Sequence, residues 1–315
     1  MTLLLSICIP TYQRAMLLVP TLERLAKVVQ PWRDRVEVCL SDNGSTDGTA
    51  AAIAAFRPPG LRIKCIRQPE NVGLSRNLAA AIDLAEGEYL LCQGDDDALT
   101  DGLCGTLERA LAKRPALALF PSLADQPLDG DWSARSEPRW LYGGAEVARV
   151  LGIFHLTFLG NFVVRRADYL AHDEERFRAS LYPHVPVLLR ILARERARWL
   201  PEPLFVFEEQ LKSWNQPLLT AVDLARIYTD ASLADAALYN RTVRSIPRAL
   251  LHRKLGRLDQ PGNPYASLAP RNLLECYRRS RRHQALAIAY WLTGTALPAS
   301  LLHAILGEKP RKVNF

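Results

Sequence analysis

The chain has 315 residues, 49% of them hydrophobic and 23% charged, with a formal net charge of +7. That length suits one large domain or a domain and a half, and the ordinary composition excludes a disordered chain, a collagen-like repeat and a coiled coil. The charge is uneven: residues 241–315 carry 14 Lys/Arg and 3 Asp/Glu, a balance of +11, and residues 1–240 carry the remaining 26 and 30, a balance of −4. A basic tail behind a nearly neutral front points to an anionic surface as partner. Nucleic acid fits poorly, because no reader motif accompanies the basic residues and aromatics are not interleaved with them.

The opening MTLLLSICIPTYQRA has a short apolar run, no preceding basic residue and an early Pro10, so it is not read as a signal peptide and a cytosolic chain is expected. Four apolar runs follow in order: LLLSICI (3–9), VEVCLS (36–41), LRIKCIR (61–67) and EYLLCQ (88–93). The first, second and fourth are nearly continuous, as strands buried on both faces should be, and the third alternates more. Helical stripes lie between them: Leu17, Leu18, Thr21, Leu22, Leu25 and Val28; then Ala51, Ile53, Ala54 and Phe56; then Leu74, Leu78, Ala81, Ile82 and Ala85. This strand–helix alternation predicts an α/β fold with a mostly parallel sheet flanked by helices. Cys8, Cys39, Cys65 and Cys92 sit inside the strand runs and Cys104 and Cys276 in helical segments; with no metal spacing, they are expected as buried small hydrophobes.

Ligands of such sheets bind beyond the carboxyl ends of the strands. Each run is followed there by a polar loop: PTYQR (10–14), SDNGSTDGT (41–49), QPENVGLSRN (68–77) and GDDDAL (94–99). Asp42 closes the second run, Asn43-Gly44 makes a turn, and Ser45 or Thr46 is placed to cap the next helix. The loop is then either a turn with a cap, or a site where Asp42 accepts hydrogen bonds from a base or ribose. In the third loop Gly73 permits close backbone approach and Arg76 offers a fork for phosphate; an ordinary loop leading into a helix is the other reading.

The fourth loop places Asp95, Asp96 and Asp97 together. At about 6 Å and an effective dielectric of about 20, each pair repels by about 3 kcal/mol. Two stabilisers are open. A helix N-terminus, with Asp97 or Thr100 as its cap, supplies about 0.3–1 kcal/mol per charge. A divalent cation supplies far more, and an all-oxygen set selects Mg²⁺ or Mn²⁺ bound by one or two carboxylates and substrate phosphates.

Taken together, SICIPTYQRAMLL, VEVCLSDNGSTDGT, QPENVGLSRNLAAAI and GEYLLCQGDDDAL resemble the successive blocks of family 2 inverting glycosyltransferases over roughly residues 3–115. The subgroup most resembled builds bacterial surface polysaccharides, as the abequosyltransferase-like enzymes of O-antigen synthesis do. The resemblance implies the GT-A fold and a nucleotide-diphosphate sugar donor. Pro10, Thr11, Tyr12 and Arg14 would line the nucleotide site, with Gln13 where the family commonly has Asn. Asp42 would hold the base, and Asn71, Gly73, Arg76 and Asn77 would flank base and diphosphate. Asp95, Asp96 and Asp97 fit the D-x-D motif, with Asp95 toward ribose or donor sugar and Asp97, alongside Asp95, as metal ligand for Mn²⁺ or Mg²⁺. Inverting transfer then needs a base to take the acceptor's proton.

The family's usual acidic pair is missing from its place: in LYPHVPVLLRIL (181–192), His184 stands for the Asp and Pro183 for the Glu, while Arg190 matches. His184 is therefore one base candidate, and the acids of AHDEERF, Asp173, Glu174 and Glu175, are the others. The stretch FHLTFLGNFVVRRADYL (154–170) is expected to build the acceptor side, with Gly160 and Asn161 in its cleft; Arg165 and Arg166 either meet a lipid-linked acceptor's phosphate or form a solvated basic pair.

The expected organisation is a transferase domain over 1–220, made of a nucleotide-sugar half (1–115) and an acceptor half (116–220), then a helical basic region over 221–315. RRSRR (278–282) precedes QALAIAYWLTGTALPASLLHAIL (284–306), which has no charged residue but is broken by Gly294 and Pro298. Two short helices on an anionic bilayer surface, or packed on the domain, fit better than a membrane span. The reading is a metal-dependent hexosyl or deoxyhexosyl transferase on the cytoplasmic face of the inner membrane, acting on a glycan or lipid-linked glycan. The alternative is a non-catalytic nucleotide-sugar-binding or scaffold subunit. A nucleotidyltransferase would want a Gly-rich loop after the first strand, and PTYQRA has no Gly.

Overall fold

The apolar runs form strands that begin and end close to their sequence-read limits. In the computed structural model, which describes residues 3–121, 123–124, 137–151, 155–207 and Ile227, β1 (Leu5–Thr11) and β2 (Val36–Asp42) are buried along their whole length. Between them runs α1 (Ala15–Val28), which buries Leu18, Thr21, Leu22, Leu25 and Val28. There follow α2 (Thr49–Ala55), β3 (Arg62–Arg67), α3 (Leu74–Asp83) and β4 (Tyr89–Cys92). A short β5 (Ala98–Leu99) precedes α4 (Leu103–Leu111), β6 (Leu117–Leu119) and β7 (Leu123–Ala124). The chain continues with β8 (Arg139–Tyr142), α5 (Gly143–Val150), β9 (Phe162–Arg165), α6 (Arg166–His172), α7 (His184–Leu192), β10 (Arg196–Trp199) and β11 (Phe205–Phe207).

The main sheet has the order β3-β2-β1-β4-β9-β6-β10-β8. β9 runs antiparallel to β4 and β6, and β8 antiparallel to β10; the other pairs are parallel. A small sheet, β5-β11-β7, holds the chain just after the three aspartates. The residues cluster into two compact units, Met1–Ser213 and Trp214–Phe315. All described residues except Ile227 belong to the first. The basic segment 278–282, the apolar stretch 284–306 and Cys276 lie outside the described residues. Among the described residues no helix is long and apolar enough to cross a membrane.

Strand alternation gives the sheet two unlike faces. Leu5, Ile7, Ile9, Val36, Val38 and Leu40 join Leu18, Leu22 and Leu25 of α1 and Leu103 and Leu107 of α4 in the main core. The other face carries small residues in register, Cys39 beside Cys8 beside Cys92, which lets α3 lie close on β1 and β2. These three thiols are buried as expected. Cys65 is exposed, contrary to expectation, because β3 is an edge strand with little covering it. Glu37, fully buried inside β2, is held by the Ser6 hydroxyl (2.7 Å), the Glu86 and Gly87 amides (2.6 and 3.2 Å) and Lys64 Nζ (3.1 Å). Burial pushes its pKa up, but these donors outweigh burial and hold it below the usual range.

Candidate active site

The strand order reverses between β1 and β4: β2 and β3 continue to one side of β1, and β4 lies on the other. Such a switch opens a crevice at the carboxyl edge. Thr11 at the end of β1 spans it, its hydroxyl donating to Asp95 Oδ2 at 2.7 Å. Arg14, in the loop after β1, donates to Asp96 Oδ2 at 2.7 Å and lies 3.9 Å from Asp95 Oδ1. Asp97 Oδ2 accepts from the Gly94 amide at 3.1 Å, and Gln93 donates to the Asp97 carbonyl at 3.0 Å. Burial pushes Asp95 up to about 6, against the Thr11 hydroxyl and Arg14. Burial and the charges of Asp96 and Asp95 push Asp97 up to about 7.

The capping alternative does not survive. Asp97 runs into β5, and α4 starts at Leu103 with Gly102 as its N-cap and no side-chain cap bond. β5 forms because β11 pairs with it, Phe205 opposite Leu99, a partner about a hundred residues away that local sequence cannot show. The aspartates thus lack a helix terminus, and among the described residues the cation paired with them is Arg14, on the Asp95–Asp96 side. Asp95 and Asp97 fit a divalent ion: both are oxygen donors, and their ionisation is opposed by burial and mutual charge. Among the described residues no group of three His, Cys, Asp or Glu side chains forms a complete cage, so phosphate oxygens and water would complete the coordination.

Along the β1–β2 side the loops are bonded to one another. Gln13, with φ of 53°, accepts from the Thr46 and Asp47 amides (3.2 and 3.1 Å), and its own amide donates to Ser45 Oγ at 2.9 Å. Asp42 is 2% exposed; Oδ1 accepts from the Ser45 amide at 3.0 Å, and Oδ2 lies 3.4 Å from Arg67 Nε. Neither Ser45 nor Thr46 caps α2: its N-cap is Gly48, with no side-chain cap bond, and just before it Asp47 Oδ1 accepts from the Thr49 amide at 2.9 Å. Asn43 joins two loops, donating to Asn71 Oδ1 and accepting from the Val72 amide, both at 2.9 Å. Gly73, at φ of 85°, leaves open space where a Cβ would stand.

Pro10 is buried in β1, and Tyr12 is 39% exposed at the mouth of the crevice. Asn77 is brought to the same edge but is 2% exposed. It donates to the carbonyls of Thr11 (3.2 Å) and Ser41 (3.0 Å) and accepts from Ser41 Oγ (2.7 Å). It secures the ends of β1 and β2. Arg76 reaches Glu175 at 2.9 Å, both side chains largely exposed. Gln13, Asn43, Asp47 and Gln93 carry no site signal of their own in the sequence; only the turn-forming character of their loops is legible there.

The acceptor-side residues divide. Because β9 is antiparallel to β4, its start lies at the carboxyl edge and its end at the opposite edge, Arg165 beside Tyr89. Arg165 pairs with Asp168 at 3.0 Å there, so Arg165 and Arg166 stand away from the crevice. Asn161 is fully buried and donates to the His155 carbonyl at 3.0 Å. Gly160 has φ of 82°, and an added Cβ would come 2.6 Å from Phe205. Gly160→Ala is therefore expected to cost about 2–4 kcal/mol through backbone strain and overlap. Chemical denaturation checks this; an unchanged midpoint would mean the loop lacks this conformation.

The four base candidates fall in two places, with Glu175 paired to Arg76. His184 begins α7, 2% exposed; its Nε2–H donates to the Leu156 carbonyl at 3.0 Å and its ring stacks on Phe162 at 5.2 Å. Burial pushes its pKa down to about 4, and His155 is pushed down to about 4 for the same reason. Asp173 pairs with Arg178 at 2.9 Å. Glu174 is gripped by Arg190 and Arg176, which hold it below the usual carboxylate range.

A mostly parallel sheet with an antiparallel insertion, helices on both faces and an acidic cluster at its switch point make up the GT-A fold. Residues 6–171 match the family described as glycosyl transferase family 2, and the chain belongs to it. Among curated relatives, the abequosyltransferase RfbV of Salmonella typhimurium is 26% identical over 210 residues, 60% of this chain and 61% of that one. The GalNAc(5)-diNAcBac-PP-undecaprenol beta-1,3-glucosyltransferase of Campylobacter jejuni is 31% identical over 205 residues, 64% of each chain. Each match thus spans less than two thirds of the relative. Among solved structures, S. aureus TarS 1-349 in complex with UDP-GlcNAc superposes with a TM-score of 0.64 at 14% identity, over 98% of this chain and 93% of that one, a likeness of fold.

Proposed function

We propose that the chain moves a sugar, with inversion, from a nucleoside-diphosphate donor to a glycan or lipid-linked glycan of a bacterial surface polysaccharide. The observation that carries this reading is the crevice between β1 and β4, where Thr11, Arg14 and three aspartates meet. The diphosphate lies in that crevice, the base beside Asp42 and the 71–73 loop, and the sugar toward the β9 side. A Mg²⁺ or Mn²⁺ held by Asp95 and Asp97 would neutralise charge on the departing diphosphate. Arg14 adds a fixed cation from the chain itself, and Asn77, Asn43 and Gln13 hold the loops in place. The acceptor hydroxyl attacks the anomeric carbon from the face opposite the diphosphate, its proton passing to the acidic cluster of Asp173, Glu174 and Glu175 as general base, and the carbon–oxygen bond to the diphosphate breaks. RfbV and the Campylobacter enzyme, by their names, support a saccharide product, and the latter supports an undecaprenyl-linked acceptor. The transferase domain runs through residue 220. The basic region 221–315 docks on the cytoplasmic face of an anionic membrane.

His184 acts on this reading by positioning the 155–161 loop. A second reading, a non-catalytic nucleotide-sugar-binding subunit, draws on one observation: Asp173, Glu174 and His184 are all engaged by partners in the fold. Calorimetric titration with UDP, GDP, dTDP and CDP, with and without Mn²⁺, tests the donor site. One nucleotide should bind at micromolar strength with Mn²⁺ and at least tenfold more weakly without it. Absence of binding by all four at millimolar concentration would overturn both readings; binding without turnover of any donor would favour the second.

A further inference from the structure

The main sheet ends on β8, and its last two strands carry a surface with a distinct charge pattern. Their antiparallel register sets Arg196 opposite Tyr142 and Arg198 opposite Trp140. Leu141 and Ala197, between them in sequence, are buried, so the two arginines and two aromatic rings share the other face. The Arg196 guanidinium lies 4.1 Å from the Trp140 ring centre and that of Arg198 lies 5.5 Å from it. Arg196 Nη1 is 3.4 Å from the Tyr142 hydroxyl, and Tyr142 is 62% exposed.

Among the described residues no carboxylate pairs with Arg196 or Arg198, whereas Arg14, Arg62, Arg109, Arg165 and Arg178 each have one. Two like charges are thus held over one indole with no counter-ion among the described residues. The ring's negative face offsets part of their repulsion and orders the planar groups, and a guanidinium keeps edge donors that match phosphate oxygens. We propose that Trp140, Tyr142, Arg196 and Arg198 form a docking tile for an anionic bilayer, the arginines meeting headgroup phosphates and the rings lying at headgroup level. A small soluble anion would use the arginines alone and leave Tyr142 in water; a headgroup layer takes cations and amphipathic rings together. This contact is separate from the one proposed for the basic 278–282 segment. The lipid-linked acceptor supplies its purpose, and its chemistry stands without it.

The test is co-sedimentation of the full chain with phosphatidylcholine vesicles, with and without phosphatidylglycerol. The wild type should sediment with the anionic vesicles. Arg196→Gln with Arg198→Gln should weaken that binding about tenfold or more, with melting temperature and nucleotide binding unchanged. Tyr142→Ser, at an exposed position that leaves the fold intact, should weaken it several-fold even if the double variant misfolds. The proposal is overturned if the wild type ignores anionic vesicles. Unchanged binding by a folded double variant and by Tyr142→Ser overturns it too, as when Arg278, Arg279, Arg281 and Arg282 carry all the binding. So does loss of soluble polyphosphate binding with vesicle binding intact. Wild-type protein that binds anionic vesicles but transfers no sugar would count against the transferase reading and leave this one standing.

Discussion

Asp97→Asn is expected to cut sugar transfer about 10²–10⁴-fold while making the ligand-free protein more stable. The two effects share a cause. Asp97 sits beside two other carboxylates, with a backbone amide as its hydrogen-bond donor, and burial and its neighbours push its pKa up to about 7. An unfolded Asp titrates near 3.9, so keeping this one ionised costs at most about 4 kcal/mol; its remaining solvent contact trims that to about 2 kcal/mol. The native state binds more protons than the unfolded state between those pKa values, so this contribution falls as pH rises through the window. Asn cannot ionise. In chelator the variant should match the wild type near pH 4, gain on it up to pH 7 and hold a constant lead above pH 8. Asn is also a poor ligand for a hard divalent ion, so transfer should fall about 10²–10⁴-fold, several kcal/mol of lost charge stabilisation. Denaturation at pH 5 and pH 8 and a Mn²⁺-dependent transfer assay check both halves. A variant that keeps Mn²⁺-dependent transfer would remove Asp97 from the metal site. One that is no more stable at pH 8 would show that the aspartates are relieved by something other than a bound ion.

The first, second and fourth strands are legible because strands buried on both faces read as near-continuous apolar runs; LRIKCIR shows only more alternation, and its edge position, which exposes Cys65, is not legible there. The carboxyl-edge loops were legible too, since parallel strands deliver them all to one side. Hidden from local reading was whatever depends on distant partners. Ala98-Leu99 looks like a helix start after three acids, yet Phe205 and Val206 make it a strand. FVVR reads as part of an acceptor stretch, yet it inserts antiparallel between β4 and β6, which sends Arg165 and Arg166 to the far edge. Residue type also misleads about contact. Asn77 belongs to a ligand-like motif but spends its amide on the carbonyls of Thr11 and Ser41. Glu37 looks like an odd charge in an apolar run until its partners on neighbouring segments are seen.

His184→Gln is expected to stay active, and this decides what the imidazole does. The ring is enclosed against Phe162 and Tyr182, and its Nε2–H holds the Leu156 carbonyl. A Gln amide reaches a similar point with an N–H, so it should keep the 155–161 loop in place, with kcat/KM within about tenfold and a loss of about 1–2 kcal/mol for imperfect packing. His184→Ala leaves a cavity and an unpaired carbonyl and should cost about 3–5 kcal/mol. The pH dependence separates positioning from proton transfer. The folded ring titrates near about 4 and the unfolded one near 6.5. As pH falls below 6.5 the unfolded state takes up the proton first, so about 3 kcal/mol of stability is present at neutral pH and lost by pH 4. His155 adds a loss of the same sign, and Asp95 and Asp97 oppose both over an overlapping range. The wild-type profile is therefore muted, and the difference between wild type and His184→Gln is the informative quantity. The variant's deficit of about 1–2 kcal/mol at pH 7.5 should turn into an advantage of about 1–2 kcal/mol by pH 4, because the wild type alone loses about 3 kcal/mol over that range, while the pH–rate profile near neutrality keeps its shape. A base at this position would behave otherwise: His184→Gln would lose about 10²–10⁴-fold in rate without losing stability, and the acidic limb of the profile would go with it.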